Sequence, residues 1–220
     1  MWHAKPRGGY EYESQEAIDN MLMIRDALIS EWSIYAIAGA LGNIAHESSF
    51  NPWRWQSDTV NYNAGYGLVQ FTPAEDYING FTNYANLSTS TVTTGASPED
   101  GACQCDVLIN DGMGKWHNRA SYNSWYDLSR FEDFNNFKTV DNLYDGTMAF
   151  LYNYEGNAVV IYGTPEQQKE DFQIRYDTAS YCYEVLTGSP PTPPTPPTPP
   201  TPTRKKKGLL NKYIKYGVWF

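Results

Sequence analysis

Apolar residues return at helical spacing through much of the chain, and several of these stretches begin with a residue able to cap them. Ser14 precedes Ile18, Met21, Leu22, Leu28 and Ile29, which share one face of a predicted helix over residues 14–30. A second helix is predicted to start after Trp32, with Ser33 as its cap and Ile34, Ile37, Ala38, Leu41, Ile44 and Ala45 as its apolar stripe. Beside that stripe runs a strip of small or polar residues, Ala36, Ala40 and Asn43, which ends on Glu47. The strip is read as the edge of the buried face. Glu47 is therefore expected on a cleft wall.

Residues 53–71 change character, mixing aromatic and polar residues with Asn61, Asn63, Gly65 and Gly67, as a short hairpin or irregular β element does. Thr72-Pro73-Ala74-Glu75 then predicts a new helix, with Thr72 as cap, Pro73 in the first turn and Glu75 reaching back. Residues 86–101, rich in Ser, Thr and Gly, read as loop. Leu143, Met148, Phe150 and Leu151 predict a buried helix over about 139–155, and Thr164-Pro165-Glu166-Gln167 opens a last one running to about Leu186. The expected fold is α+β, mostly helical with a small β-hairpin region, over a domain of residues 1–188. Residues 189–203 repeat Pro-Pro-Thr and read as an extended polyproline spacer. Residues 204–220 form a basic tail ending in Tyr213, Ile214, Tyr216, Val218, Trp219 and Phe220, which suits contact with a membrane surface or a partner, or simply a basic solubilising end.

Composition sharpens this picture. The tail carries six cations and no acid, so the remaining residues hold −15 against a formal −9 for the whole chain of 220 residues. Such an acidic body argues against nucleic acid as a partner. No apolar run is long enough to span a membrane, and the N-terminal residues lack the apolar stretch of a secretory signal, so signal-led export is not expected. The 18 Tyr and 7 Trp, many beside Asn, Ser and Thr, suit stacking on sugar rings as well as ordinary core packing. Cys103, Cys105 and Cys182 cannot all pair. Cys103-Gln104-Cys105 with His117 does not make a recognised zinc pattern, so no metal site is assigned, and unpaired thiols or one bridge to Cys182 fit better. No phosphate loop, nucleophilic triad or cofactor motif is present, and none is expected.

The candidate chemistry centres on Glu47. It closes an apolar helix that Asn51-Pro52 stops. The negative end of the helix dipole, water exclusion by Trp53 and Trp55, and a second carboxylate would each favour the protonated carboxyl that an acid catalyst needs. His46 points about 100° away around the helix and reads as a surface residue. Glu75 and Asp76 suit the first turn of a helix better than chemistry. Glu155 ends a later helix and is a candidate for bordering the cleft.

Ala38-Gly39-Ala40-Leu41-Gly42-Asn43-Ile44 through Glu47-Ser48-Ser49-Phe50-Asn51-Pro52, followed by Gly65-Tyr66-Gly67-Leu68-Val69-Gln70-Phe71-Thr72-Pro73-Ala74, resembles the phage tail lysozyme family. The looser skeleton, Glu-Ser-x-Phe-x-Pro and then Gly-Leu-x-Gln, is similar to lytic transglycosylases. The resemblance implies a lysozyme-like fold, peptidoglycan glycan strands as substrate, no cofactor, and a place in the virion among other phage tail proteins. It makes Glu47 the general acid, lets Gln70 hydrogen-bond sugar or water, and puts Tyr66 and Phe71 along the cleft. Asp58 is the choice for the second carboxylate, activating water in an inverting enzyme or stabilising charge in a retaining one. Ser57-Asp58-Thr59 equally suits a local turn. If Asp58 is not in the cleft, a transglycosylase is favoured, with Glu47 serving as acid and then base.

Overall fold

The computed structural model describes residues 1–4, 12–88 and 96–189. Its α-helices are α1 (Gln15–Leu28), α2 (Ile34–Ser48), α3 (Ala74–Gly80), α4 (Pro98–Ile109), α5 (Phe134–Lys138), α6 (Leu143–Ala149), α7 (Ala158–Tyr162) and α8 (Pro165–Thr187). The spacer beyond residue 189 and the basic tail lie outside the described residues. None of the described helices is long and apolar enough to cross a membrane.

Helix α2 is the axis of the molecule, buried at every residue from Ala36 to Ala45. The strip of Ala36, Ala40 and Asn43 thus lies inside the core, not along its edge, because α6 and α8 pack on α2 from different sides. Small residues permit that approach. A Cβ on Gly42 would stand 2.5 Å from the Cβ of Ala179 in α8, and one on Gly39 would stand 2.4 Å from the carbonyl carbon of Gly146 in α6. Around this axis the aromatic side chains of the flanking segments close the core, among them Trp32, Phe137, Phe150 and Phe172.

The caps largely form as expected. Ser14 and Ser33 accept hydrogen bonds from Ala17 and Ala36 N–H at the starts of α1 and α2. Thr164 and Gln167 make a reciprocal capping box at the start of α8. The face that α1 buries is Ala17, Asn20, Met21, Ile24 and Leu28, while Ile29 stands exposed beyond it. The predicted helix over 139–155 is α6 continued by a π-helical turn, Phe150–Glu155, which stops at the left-handed Gly156.

Three local expectations are corrected. Residues 98–101 are not loop but the start of α4, with Pro98 in its first turn. Thr72 does not cap α3: its hydroxyl donates to the Gln70 carbonyl (2.8 Å), and the first N–H groups of α3, from Ala74 and Glu75, donate instead to the carbonyls of Ala64 and Tyr62 (2.8 and 2.9 Å). The hairpin of residues 53–71 is reduced to two single antiparallel bridges, Trp55 with Tyr66 and Tyr66 with Phe71, in an otherwise irregular segment. That segment is held by side chains more than by a ladder. Asp100 of α4, fully buried, accepts hydrogen bonds from the Tyr66 hydroxyl (2.6 Å), the Tyr77 hydroxyl (2.8 Å), Thr82 (3.0 Å) and the Gln104 amide (3.2 Å). The three cysteines are free thiols, and no cluster among the described residues is suited to a metal ion.

Candidate active site

Helix α2 ends where the chain must turn sharply, and the residues after Glu47 build that turn. Ser49 is left-handed at the C-cap and Phe50 follows it with positive φ, its ring fully buried. Asn20 donates to the Phe50 carbonyl (3.0 Å), and Asn51 accepts from the N–H of Trp53 (2.9 Å). Ser48 donates to the Leu68 carbonyl (2.8 Å), tying the end of α2 to the loop that carries Gln70. The other side of that loop is fixed by α4, since Leu68 N–H donates to Gln104 Oε1 (2.7 Å). Gly67 allows this contact: its φ is +85°, and a Cβ there would stand 2.4 Å from Gln104 Oε1. The two sequence blocks are thus one structural unit, with Glu47 and Gln70 on its outer surface.

They face a cavity of about 470 Å³, lined by His46 and Glu47 of α2, Gln70 and Phe71 of the loop, Lys115, His117 and Arg119 of an extended segment, and Glu155 of the π-helical turn. Glu47 is partly exposed on its wall, with 23% of its side chain accessible. Its Oε1 accepts from both terminal nitrogens of Arg175 in α8, each at 3.2 Å. Arg175 is otherwise buried. Burial opposes its charge, but Glu47, Asp171 and Glu155 outweigh that and hold the guanidinium firmly protonated. Asn43, one turn before Glu47, accepts from Arg175 (3.3 Å) and orients it.

Glu155 is the second carboxyl of the cavity. Its Oε1 is buried with no protein hydrogen-bond partner. Burial pushes its pKa well above the ordinary carboxylate range, the nearby Glu47 pushes the same way, and Arg175 and Arg119 only partly offset both. Arg119 is itself anchored to the π-helical turn, donating to the carbonyls of Tyr152 and Asn153 (3.0 and 2.8 Å). His46 is half-buried, not a surface residue. Its Nε2 lies 3.1 Å from the Thr178 hydroxyl, and burial, reinforced by Arg175 against the opposing effect of Asp171, lowers its pKa to about 4.

The remaining candidates fall as follows. Gln70 and Phe71 line the cavity, although Phe71 is 1% exposed and serves mainly as core, stacked on Tyr77. Gln70 has positive φ, and its amide nitrogen donates to the carbonyls of Arg54 and Gly67 (3.1 and 2.9 Å). Tyr66 does not line the cleft. It is fully buried, because its hydroxyl reaches inward to Asp100 and also accepts from Asn86 N–H (2.9 Å). Asp58 does not line the cleft either. It sits in a short turn with positive φ, drawn toward Arg54 (3.5 Å). Trp53 and Trp55 are buried and donate to the carbonyls of Ser97 and Asn86, so the neighbours of Glu47 are Arg175 and Glu155 instead of indole rings.

A mostly helical domain whose axial helix delivers one glutamate to a polar cleft, faced by a Gly-Leu-x-Gln loop, is consistent with a lysozyme-like architecture. The chain belongs to the phage tail lysozyme family, whose model matches residues 19–186. It is also 51% identical over 164 residues to "Morphogenesis protein 1" of Bacillus phage B103, covering 73% of this chain and 37% of that protein. The chain thus spans well under half the length of this relative.

Proposed function

We propose that the protein is a phage-encoded muramidase that hydrolyses the bond between N-acetylmuramic acid and N-acetylglucosamine in peptidoglycan, with Glu47 as the general acid that protonates the leaving oxygen. The observation that carries this reading is the position of Glu47, on the wall of a polar cavity at the end of the axial helix, with Gln70 in the same lining. Gln70 is given the task of contacting bound sugar. Membership of the phage tail lysozyme family and likeness to a phage morphogenesis protein support a virion-borne role, opening the wall locally while the genome is delivered. Other tail proteins are then natural partners, and residues 204–220 are a candidate attachment segment for wall, membrane or tail.

Glu47→Gln is expected to lower the clearing of purified peptidoglycan by about 10²–10⁴-fold, the usual worth of a positioned proton donor, with the melting temperature little changed. An active, folded variant would remove Glu47 from the mechanism. A second reading, lytic transglycosylation, is favoured by one observation: Asp58 turns toward Arg54 and does not line the cavity. Mass spectrometry of the released fragments separates the two, because a transglycosylase leaves anhydro-muramic ends one water lighter than hydrolysis products.

A further inference from the structure

We propose that Glu155 is the second carboxyl of the site and its proton store, resting protonated beside Glu47 and supplying the proton that Glu47 delivers to the substrate. The proposal rests on the catalytic role given to Glu47 above. Three independent features of geometry carry it. Glu155 lines the same cavity as Glu47. Its Oε1 is sealed from solvent without a hydrogen-bond donor, a costly state for a carboxylate and a tolerable one for a carboxylic acid. Finally, Glu155 ends a π-helical turn that widens the last coil before Gly156, a distortion common where a helix aims one side chain at a site.

The charges around Glu155 come from every element packed against it. Glu47 and His46 face the cavity from α2, Arg175 approaches from α8, and Arg119, with His117 and Lys115, comes from the extended segment. Arg175 binds the Glu47 carboxylate directly, whereas Glu155 Oε1 has no hydrogen-bond partner. The resting proton therefore sits on Glu155, whose pKa is raised by burial and by the Glu47 charge.

The proton balance is complete. Glu155 passes its proton to Glu47 through a water in the cavity that both line, and Glu47 gives it to the glycosidic oxygen as the C–O bond breaks. The hydroxyl of a water joins the anomeric carbon, and the proton shed by that water returns to the pair. Glu155 acts through Glu47 and is a positioning residue.

The test is the pH dependence of peptidoglycan hydrolysis by wild type, Glu155→Gln and Glu47→Gln. The glutamine at 155 keeps the shape but stores no proton, so Glu47 must be charged with protons from bulk solvent. Activity is expected to fall about tenfold or more at pH 7.5 and to approach wild type near pH 4.5, moving the optimum toward acid. An unchanged profile, or the same loss at every pH, overturns the inference in favour of a merely structural Glu155. The Glu47→Gln arm is separate: activity there at any pH defeats the function assigned to Glu47, whatever Glu155 does. If Glu155→Gln does not fold, carboxyl ¹³C titration of the wild type decides. One glutamate signal should stay protonated well above the ordinary range near 4.3, and its absence overturns the inference.

Discussion

His46 shows how a side chain beside Glu47 acquires a pH signature. Its pKa falls to about 4 in the fold, from 6.5, chiefly because burial disfavours the imidazolium. Between those values the unfolded chain binds a proton that the folded chain refuses. His46 therefore contributes stability that is fully present above pH 6.5 and is lost as the pH falls toward 4. The side chain keeps some solvent contact, which screens the effect to about 1–2 kcal/mol. Replacement by Gln should remove this dependence. In urea unfolding, wild type is expected to lose about that much more than His46→Gln between pH 7 and pH 4.5; parallel losses would show that His46 does not titrate this way. Glu47 and Gln70 were legible at this scale because they belong to contiguous motifs. Arg175 was not, since it meets Glu47 from 128 positions away, and nothing local distinguishes it from any other helix cation. Tyr66 misled for the same reason. Its partner Asp100 lies 34 positions downstream, and only the fold reveals that the hydroxyl points inward.

Helices α1, α2 and α8 could be read from the chain because cap and stripe agreed. Helix α4 could not. Its buried face carries Asp100, Gly101 and Gln104, polar or small residues that interrupt an apolar period yet are satisfied once Tyr66, Tyr77 and Thr82 surround them. The contact between α2 and α8 carries most risk at this scale. On Gly42→Ala the new methyl meets the Ala179 methyl and the Arg175 carbonyl oxygen at 2.5 and 2.6 Å, both fixed to the body of α8. Forcing the helices apart should cost about 1–3 kcal/mol, seen as a lower melting temperature. Because the displaced helix carries Arg175, activity should drop by more than the unfolded fraction explains. A variant with wild-type melting and activity would show that the interface can yield.

At the level of the whole molecule, composition alone sets residues 1–188 apart from a Pro-Pro-Thr stretch followed by cations. Among the described residues, the buried core runs from Trp2 to Cys182. Deleting residues 190–220 should therefore leave melting within about 2 °C, the shift expected for a change well under 1 kcal/mol, and cleavage of soluble glycan unchanged. Retention on whole cell walls should fall; undiminished retention in a pelleting assay would reject attachment through this segment.

The ion pair between Glu47 and Arg175 joins the second helix to the last. A ribosome making this polypeptide releases Glu47 long before Arg175, and α8 can dock on α2 only after both have left the exit tunnel. The emerging chain thus carries an unfinished site until α8 is out, and any wall-cutting power it has begins only once that helix docks.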